Sequence, residues 1–202
     1  MSVVSGRVFL SATNQESVRY DFTNLYSGGA LYARMVVNVS TLPTGIGNFF
    51  AQGFAALGPK LGPIMWQFAH YRKFDADDIA GFIDLLPHSL DGMTLRHAIE
   101  PRNKSFNDEK FFDLCRARNI AIVFEDSDDY PLIEADTADF TYARLQRMSE
   151  DVPTGYDGQS LDGFAAKARE WRKRGECYIY MINGAKVRAP AAAIALQERL
   201  GV

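Results

Sequence analysis

Cysteine is nearly missing from this chain: two in 202 residues, Cys115 and Cys177, far apart in sequence. That excludes a disulfide framework and any CxxC metal motif, and it leaves two reduced thiols behaving as small hydrophobes. Histidine is as scarce, with His70, His88 and His97 at no HxH or HxxxH spacing. No metal site is therefore expected. A magnesium site built from Glu100, Glu125 and Asp126 finds no supporting pattern. No apolar run is long enough to span a membrane. The first ten residues, MSVVSGRVFL, lack the charged start and long apolar core of a secretory leader, so a cytoplasmic setting is the expectation. An excess of either charge is also lacking. Twenty-two Lys and Arg face 25 Asp and Glu, for a net charge of −3, so no global basic field draws in nucleic acid. Neither GxGxxG nor GxxxxGK[ST] follows any predicted strand, which argues against a bound nucleotide and leaves any cofactor unknown. With no GxSxG elbow and no cysteine at a strand end, covalent Ser or Cys catalysis is not expected.

What is present is alternation. Hydrophobic residues make up 47% of the chain, enough for one sizeable domain. Strand patterns fall at residues 31–39, 63–68, 94–100, 120–125, 139–145 and 176–182. Helical patterns fall at 47–57, 75–86, 107–119, 160–175 and 189–201. Their ends carry caps and stops: acids at the start of 75–86, Asn107 before 108–119, Gly175 after the fourth helix, Pro190 in the first turn of the last. Repeated βα with short connections predicts a parallel sheet, either open and doubly wound or closed as a (β/α) barrel. Residues 1–30 are polar and weakly patterned and are set apart as an atypical N-terminal segment; residues 31–202 form the α/β domain.

In both architectures sites form at the C-terminal ends of strands. Five successive strands end in a polar group: Gln67; Glu100 with Arg102; Glu125 and Asp126; Tyr142 and Arg144; Asn183. Strand alternation sorts the faces. If Glu100 points inward, so do Ala98 and Arg96, and His97 faces the helices. Arg144 inward implies Tyr142 and Phe140 inward, and Asn183 inward implies Met181 and Ile179 inward. Singly, each polar residue is explained by scaffold: an ion pair, a turn, a satisfied backbone group. Together they favour a pocket. Pro101 ends the strand at Glu100, because it has no N–H to continue the ladder. A carboxylate at that mouth needs a partner, for which Arg144 is named first and Arg102 second.

Seven stretches in order, NFFAQGFAALGPKLGPIMWQF, FIDLLP, LRHAIEPRNKSF, IAIVFEDSDDYP, DFTYARL, GYDG and YIYMINGAKVRAPAAAIAL, resemble the YecE-like proteins, domain of unknown function 72. The resemblance implies a TIM-type (β/α) barrel, related in shape to sugar-phosphate isomerase-like and endonuclease IV-like barrels, and implies no particular reaction. It places Lys60, Gln67, Glu100, Arg102, Ser105, Asp126, Tyr142, Arg144, Tyr156 and Asn183 on family positions. Two departures stand out. Gln146 follows Arg-Leu where the family usually has a residue such as His. The Gly-Thr-Ser-Gly-Trp-like first strand and the Glu-Ile-Asn-like second strand are not visible. The expected barrel is therefore incomplete or divergent in its first strands. Three functions are weighed. One is an enzyme or binder of a small anionic ligand, phosphorylated or sugar-like, with Glu100 and Arg144 as catalytic residues and Lys60, Gln67, Arg102, Asp126, Tyr142 and Asn183 as ligand contacts. Another is nucleic-acid binding or processing, by analogy of fold alone. The last is a non-catalytic, truncated member of the family.

Overall fold

The computed structural model describes residues 42–202, except Gln52 and Asn183, together with three two-residue strands in the preceding segment. The strands in chain order are β1 (Val3–Val4), β2 (Arg7–Val8), β3 (Arg34–Met35), β4 (Ile64–Gln67), β5 (Ser89–Leu90), β6 (Met93–Thr94), β7 (His97–Glu100), β8 (Ala121–Ile122), β9 (Phe124–Asp126), β10 (Phe140–Leu145) and β11 (Glu176–Met181). The helices are α1 (Leu42–Phe50), α2 (Ala76–Asp84), α3 (Glu109–Ala117), α4 (Gly158–Arg172) and α5 (Ala189–Leu200). Two parallel sheets carry the domain, one ordered β3-β4-β7-β8 and the other β9-β10-β11. They meet at Val123, whose N–H donates to the Ile99 carbonyl at 2.9 Å between the two strands that flank it in sequence.

Among the described residues the sheets do not close, which corrects the expectation of a TIM-type barrel. Such a barrel needs eight strands, each followed by a helix. Here β3 and β11 are edges, and no ladder joins them among the described residues. β1 and β2 pair antiparallel with each other instead of extending either edge. The open doubly wound alternative is not formed either, because the described helices lie on one face. Ile64, Trp66, Ile99 and Ile122 pack with α1, α2 and α3. Phe124, Ala143 and Leu145 pack with α4 and α5. The other face holds a strand-only cluster of Met65, Ala98, Ala121, Val123, Phe140 and Tyr142, with Tyr178 and Tyr180 against it.

The βα alternation also fails once. Between β9 and β10 the chain returns as a loop, residues 127–139, with no helix. Thr137 satisfies the backbone it covers: its hydroxyl donates to the Ile120 carbonyl at 2.7 Å and accepts from the Ile122 N–H at 3.2 Å. The strand expected over 94–100 divides in two. Its start belongs to a β5–β6 hairpin whose turn, Asp91-Gly92, has positive φ at both residues, as a two-residue hairpin turn requires.

Caps explain where helices begin. Asp75, Asp108 and Asp157 each accept a backbone N–H of the first turn, from Asp78, Lys110 and Ser160. Asp108 rather than Asn107 therefore caps α3. Gly175 does not stop α4, which ends at Arg172. It is required because a Cβ there would collide with the Asp139 carbonyl just before β10. His97 is a core residue on the helix face, as its alternation implied. Its Nδ1 accepts from Trp66 Nε1 at 3.0 Å and its Nε2 meets the Pro87 carbonyl at 2.8 Å, which defines a neutral ring protonated at Nε2. Burial pushes its pKa down from 6.5 to about 4. Cys115 is fully buried and its thiol is pushed up to about 12 by burial.

The folded protein prefers neutral His97, so its contribution is complete above pH 6.5 and is lost as pH falls from 6.5 towards 4. The total is about 3 kcal/mol at 1.36 kcal/mol per pH unit. Urea melts of the wild type across that range should show a steeper fall than those of His97→Gln. Gly175→Ala should cost about 2 kcal/mol or more through backbone overpacking, measured as a lower urea midpoint.

Candidate functional site

Register places the polar strand ends side by side. Gln67 is opposite Glu100 across β4 and β7, and Arg144 is opposite Glu125 across β9 and β10. By alternation these four share the face of the strand-only core and sit at its C-terminal rim. Below them the same strands carry Met65, Ala98, Val123 and Tyr142 inward, so the polar layer rests on an apolar one.

Glu100 is the centre. It is 0% exposed. One carboxylate oxygen, Oε2, accepts from Arg144 Nη1. The other, Oε1, accepts from Gln67 Nε2 and from Arg102 Nε, the latter at 2.9 Å. Both arginines named as alternatives are thus partners at once, and the glutamine completes the set. Burying this carboxylate without such partners would cost several kcal/mol. Arg102 comes from the loop that Pro101 begins. Its Nε lies 3.9 Å from Glu125 Oε1, its guanidinium stacks 4.1 Å from the Tyr130 ring centroid, and Nη1 reaches the Tyr130 hydroxyl at 3.3 Å. Glu125, 1% exposed, also accepts from Gln146 Nε2 at 2.6 Å.

The loops around this cluster are tied down. Asn103 Nδ2 donates to the His70 carbonyl at 2.7 Å, and the Phe74 N–H donates to Ser105 Oγ at 2.8 Å, joining the loops after β4 and β7. Gly184 has φ +50°, and a Cβ there would meet the carbonyl oxygens of Met148 at 2.7 Å and Gln146 at 2.8 Å. The close approach lets the Ala185 N–H donate to the Met148 carbonyl at 3.1 Å, which holds the loop after β11 against the segment after β10.

The other anticipated residues lie elsewhere. Asp126 faces the opposite side of β9. It accepts from the Tyr156 hydroxyl at 2.8 Å and from Arg147, which is 49% exposed and also lies 3.6 Å from Asp128. Burial first, and then Asp126, pushes the Tyr156 hydroxyl well up. The Asp126 hydrogen bond raises the Arg147 guanidinium. Tyr142 is buried one layer beneath Arg144, its ring 4.9 Å from that of Tyr180. Lys60 is exposed in the 3-10 turn that precedes β4, at the strand's other end from Gln67. Asn183 lies outside the described residues, and the inward reading of Met181 and Ile179 tied to it is corrected. Both pack on the α4–α5 side, while Tyr178 and Tyr180 face the strand-only core.

Glu125, Gln146 and Tyr130 join the cluster without being among the site residues expected from the sequence. Glu125 stood among the strand-end acids, and alternation with Ala121 and Val123 would have turned it inward ahead of Asp126. Gln146 continues the Tyr142–Arg144 face. Tyr130 had no local signal, since long-range packing brings it in. Among the described residues, no group of three or more His, Cys, Asp and Glu side chains is placed to hold a metal ion. No described helix is long and apolar enough to cross a membrane.

These features define an α/β protein with a buried ionic cluster at the C-terminal ends of its parallel strands. The profile of the family described as "Protein of unknown function DUF72" matches residues 37–202, and the chain belongs to that family. The resemblance read from its ordered motifs is thereby established. Two solved structures share the fold. A DUF72 family protein from Thermotoga maritima MSB8 is 21% identical with a TM-score of 0.60, over 77% of this chain and 63% of that one. A DUF72 family protein from Enterococcus faecalis V583 is 17% identical with a TM-score of 0.63, over 78% of this chain and 68% of that one. The alignment thus spans less than two thirds of the Thermotoga protein's length. No curated protein matches.

Removing Glu100 takes the buried carboxylate away from Arg144. Glu100→Ala should cost about 3–5 kcal/mol. The paired change Glu100→Met with Arg144→Met should cost much less than the sum of its single changes in a double-mutant cycle of urea melts.

Proposed function

We propose that this DUF72 protein binds a small anionic ligand, phosphorylated or sugar-like, at the C-terminal rim formed by β4, β7, β9 and β10. Arg102 and Arg144 pair with the anion, and Glu100, held between them, takes or gives a proton. One observation supports this reading above the others. Arg102, with a side chain 16% exposed against 9% for Arg144, uses Nε and Nη1 on Glu100 and Tyr130, and its Nη2 takes part in none of these contacts. A guanidinium at the rim of a buried cluster, with Nη2 left over, suits a charge-assisted hydrogen bond to phosphate or carboxylate. A net charge of −3 supplies no broad field for a polymeric anion, which leaves the nucleic-acid reading with fold analogy alone.

Calorimetric titration with inorganic phosphate and a hexose 6-phosphate tests the proposal. Arg102→Ala should weaken binding about tenfold or more, the scale of a lost charge-assisted hydrogen bond. Unchanged affinity in the Glu100→Gln, Arg144→Ala double variant would count decisively against it.

A further inference from the structure

We infer that Glu125 is the second carboxylate of this site, and that Arg102 is a latch. The latch turns from the Glu100–Glu125 pair onto the ligand's anionic group and uncovers carboxylate oxygens that take the ligand's hydroxyls. The ligand class is then a hydroxylated anion, a sugar phosphate or a sugar acid. The inference rests on the anion-binding reading above.

Three observations carry it. The first is that the two carboxylates are built alike. Gln67 donates to Glu100 Oε1 and Gln146 donates to Glu125 Oε1, so each acid has its own carboxamide partner. Arg102 Nε stands between the same two oxygens, at 2.9 and 3.9 Å. The second is that the departure of Arg102 leaves each acid partnered. Glu100 keeps Arg144 and Gln67, and Glu125 keeps Gln146. Arg144 cannot play that part, since it belongs to a buried strand paired on both sides. Arg102 lies on the loop between β7 and α3, and its other hold is Tyr130, from the loop after β9. The third is chemical. Two carboxylates and two carboxamides around an opened centre present many acceptors, and hydroxyl groups are the donors that match them. The outgoing guanidinium supplies the charge for an anion, so one movement serves both halves of such a ligand.

The test measures Kd by calorimetry for inorganic phosphate, a hexose 6-phosphate, gluconate and glucose. The hexose 6-phosphate should bind about tenfold tighter than phosphate, as one or two added hydrogen bonds allow. Glu125→Gln should shrink that ratio. Tyr130→Phe, which removes the hydroxyl that helps hold the latch, should tighten binding of the hydroxylated anion a few-fold by shifting the population of the open form. A merely structural Arg102–Tyr130 contact would leave that affinity unchanged or weaken it. The preference between hexose 6-phosphate and gluconate separates a phosphate from a carboxylate as the anionic group. Phosphate binding with no gain from the sugar, or ratios unmoved by both variants, overturns the latch and leaves anion binding standing. Absence of binding by phosphate, hexose 6-phosphate and gluconate alike overturns the anion reading and this inference with it. Tyr130 is half-buried in a loop, so its variant keeps the test decisive should Glu125→Gln fail to fold.

Discussion

A carboxylate withdrawn wholly from water at the end of a strand constrains almost everything near it. Glu100 is stable there only because three donors arrive from three different parts of the chain: Gln67 from the neighbouring strand, Arg102 from its own outgoing loop, Arg144 from β10. Each arrival depends on a different feature. The β4–β7 register sets Gln67 beside it. Pro101 ends the strand and starts the loop that returns Arg102. The crossing at Val123 joins the two sheets closely enough for a β10 side chain to reach a β7 acid. A shift of one residue in any of these strands would turn its polar end towards the helices, where Trp66, Ile99 and Leu145 now pack.

That requirement also accounts for the layering. The sheet face away from the helices is apolar through Met65, Ala98, Val123 and Tyr142, and becomes ionic only at its C-terminal rim. Glu100 and Glu125 are balanced by Arg102 and Arg144, so the buried cluster is formally neutral, with Arg102 2.9 Å from Glu100 and 3.9 Å from Glu125. A second ionic group, Asp126 with Tyr156 and Arg147, faces the other side of β9 and ties the segment after β10 to the strand end. The two groups differ in exposure: Arg147 is half in solvent, whereas the Glu100 cluster is covered by the Arg102–Tyr130 stack.

Much of this was legible in the residues. Alternation along TLRHAIE and DFTYARL is a local property, and it assigned Glu100, Arg96 and Arg144 to one face and His97 to the other without reference to any neighbour. The pairing of Glu100 with an arginine followed from the cost of burying a lone charge. β11 departs from the expected faces for an equally local reason. Asn183 lies beyond the strand's end at Met181, and a single residue of offset exchanges the two faces, so Tyr178 and Tyr180 rather than Ile179 and Met181 face the inner core. Gly175 resembled a helix stop, but the contact that demands it is with Asp139, thirty-six positions earlier in the chain.

By itself, then, the sequence determined the repeated strand and helix segments, which faces of most strands are apolar, where β7 ends, and the family to which the order of motifs belongs. These are matters of period, propensity and local stereochemistry, carried by neighbouring residues. Only the tertiary structure decided that the sheets of the described residues remain open, that a loop held by Thr137 replaces a helix before β10, that Asp108 caps α3, and that Glu125, Gln146 and Tyr130 join the Glu100 cluster. Those outcomes depend on which strand edges meet and which side chains come together across tens of residues, and no short-range pattern encodes such distances.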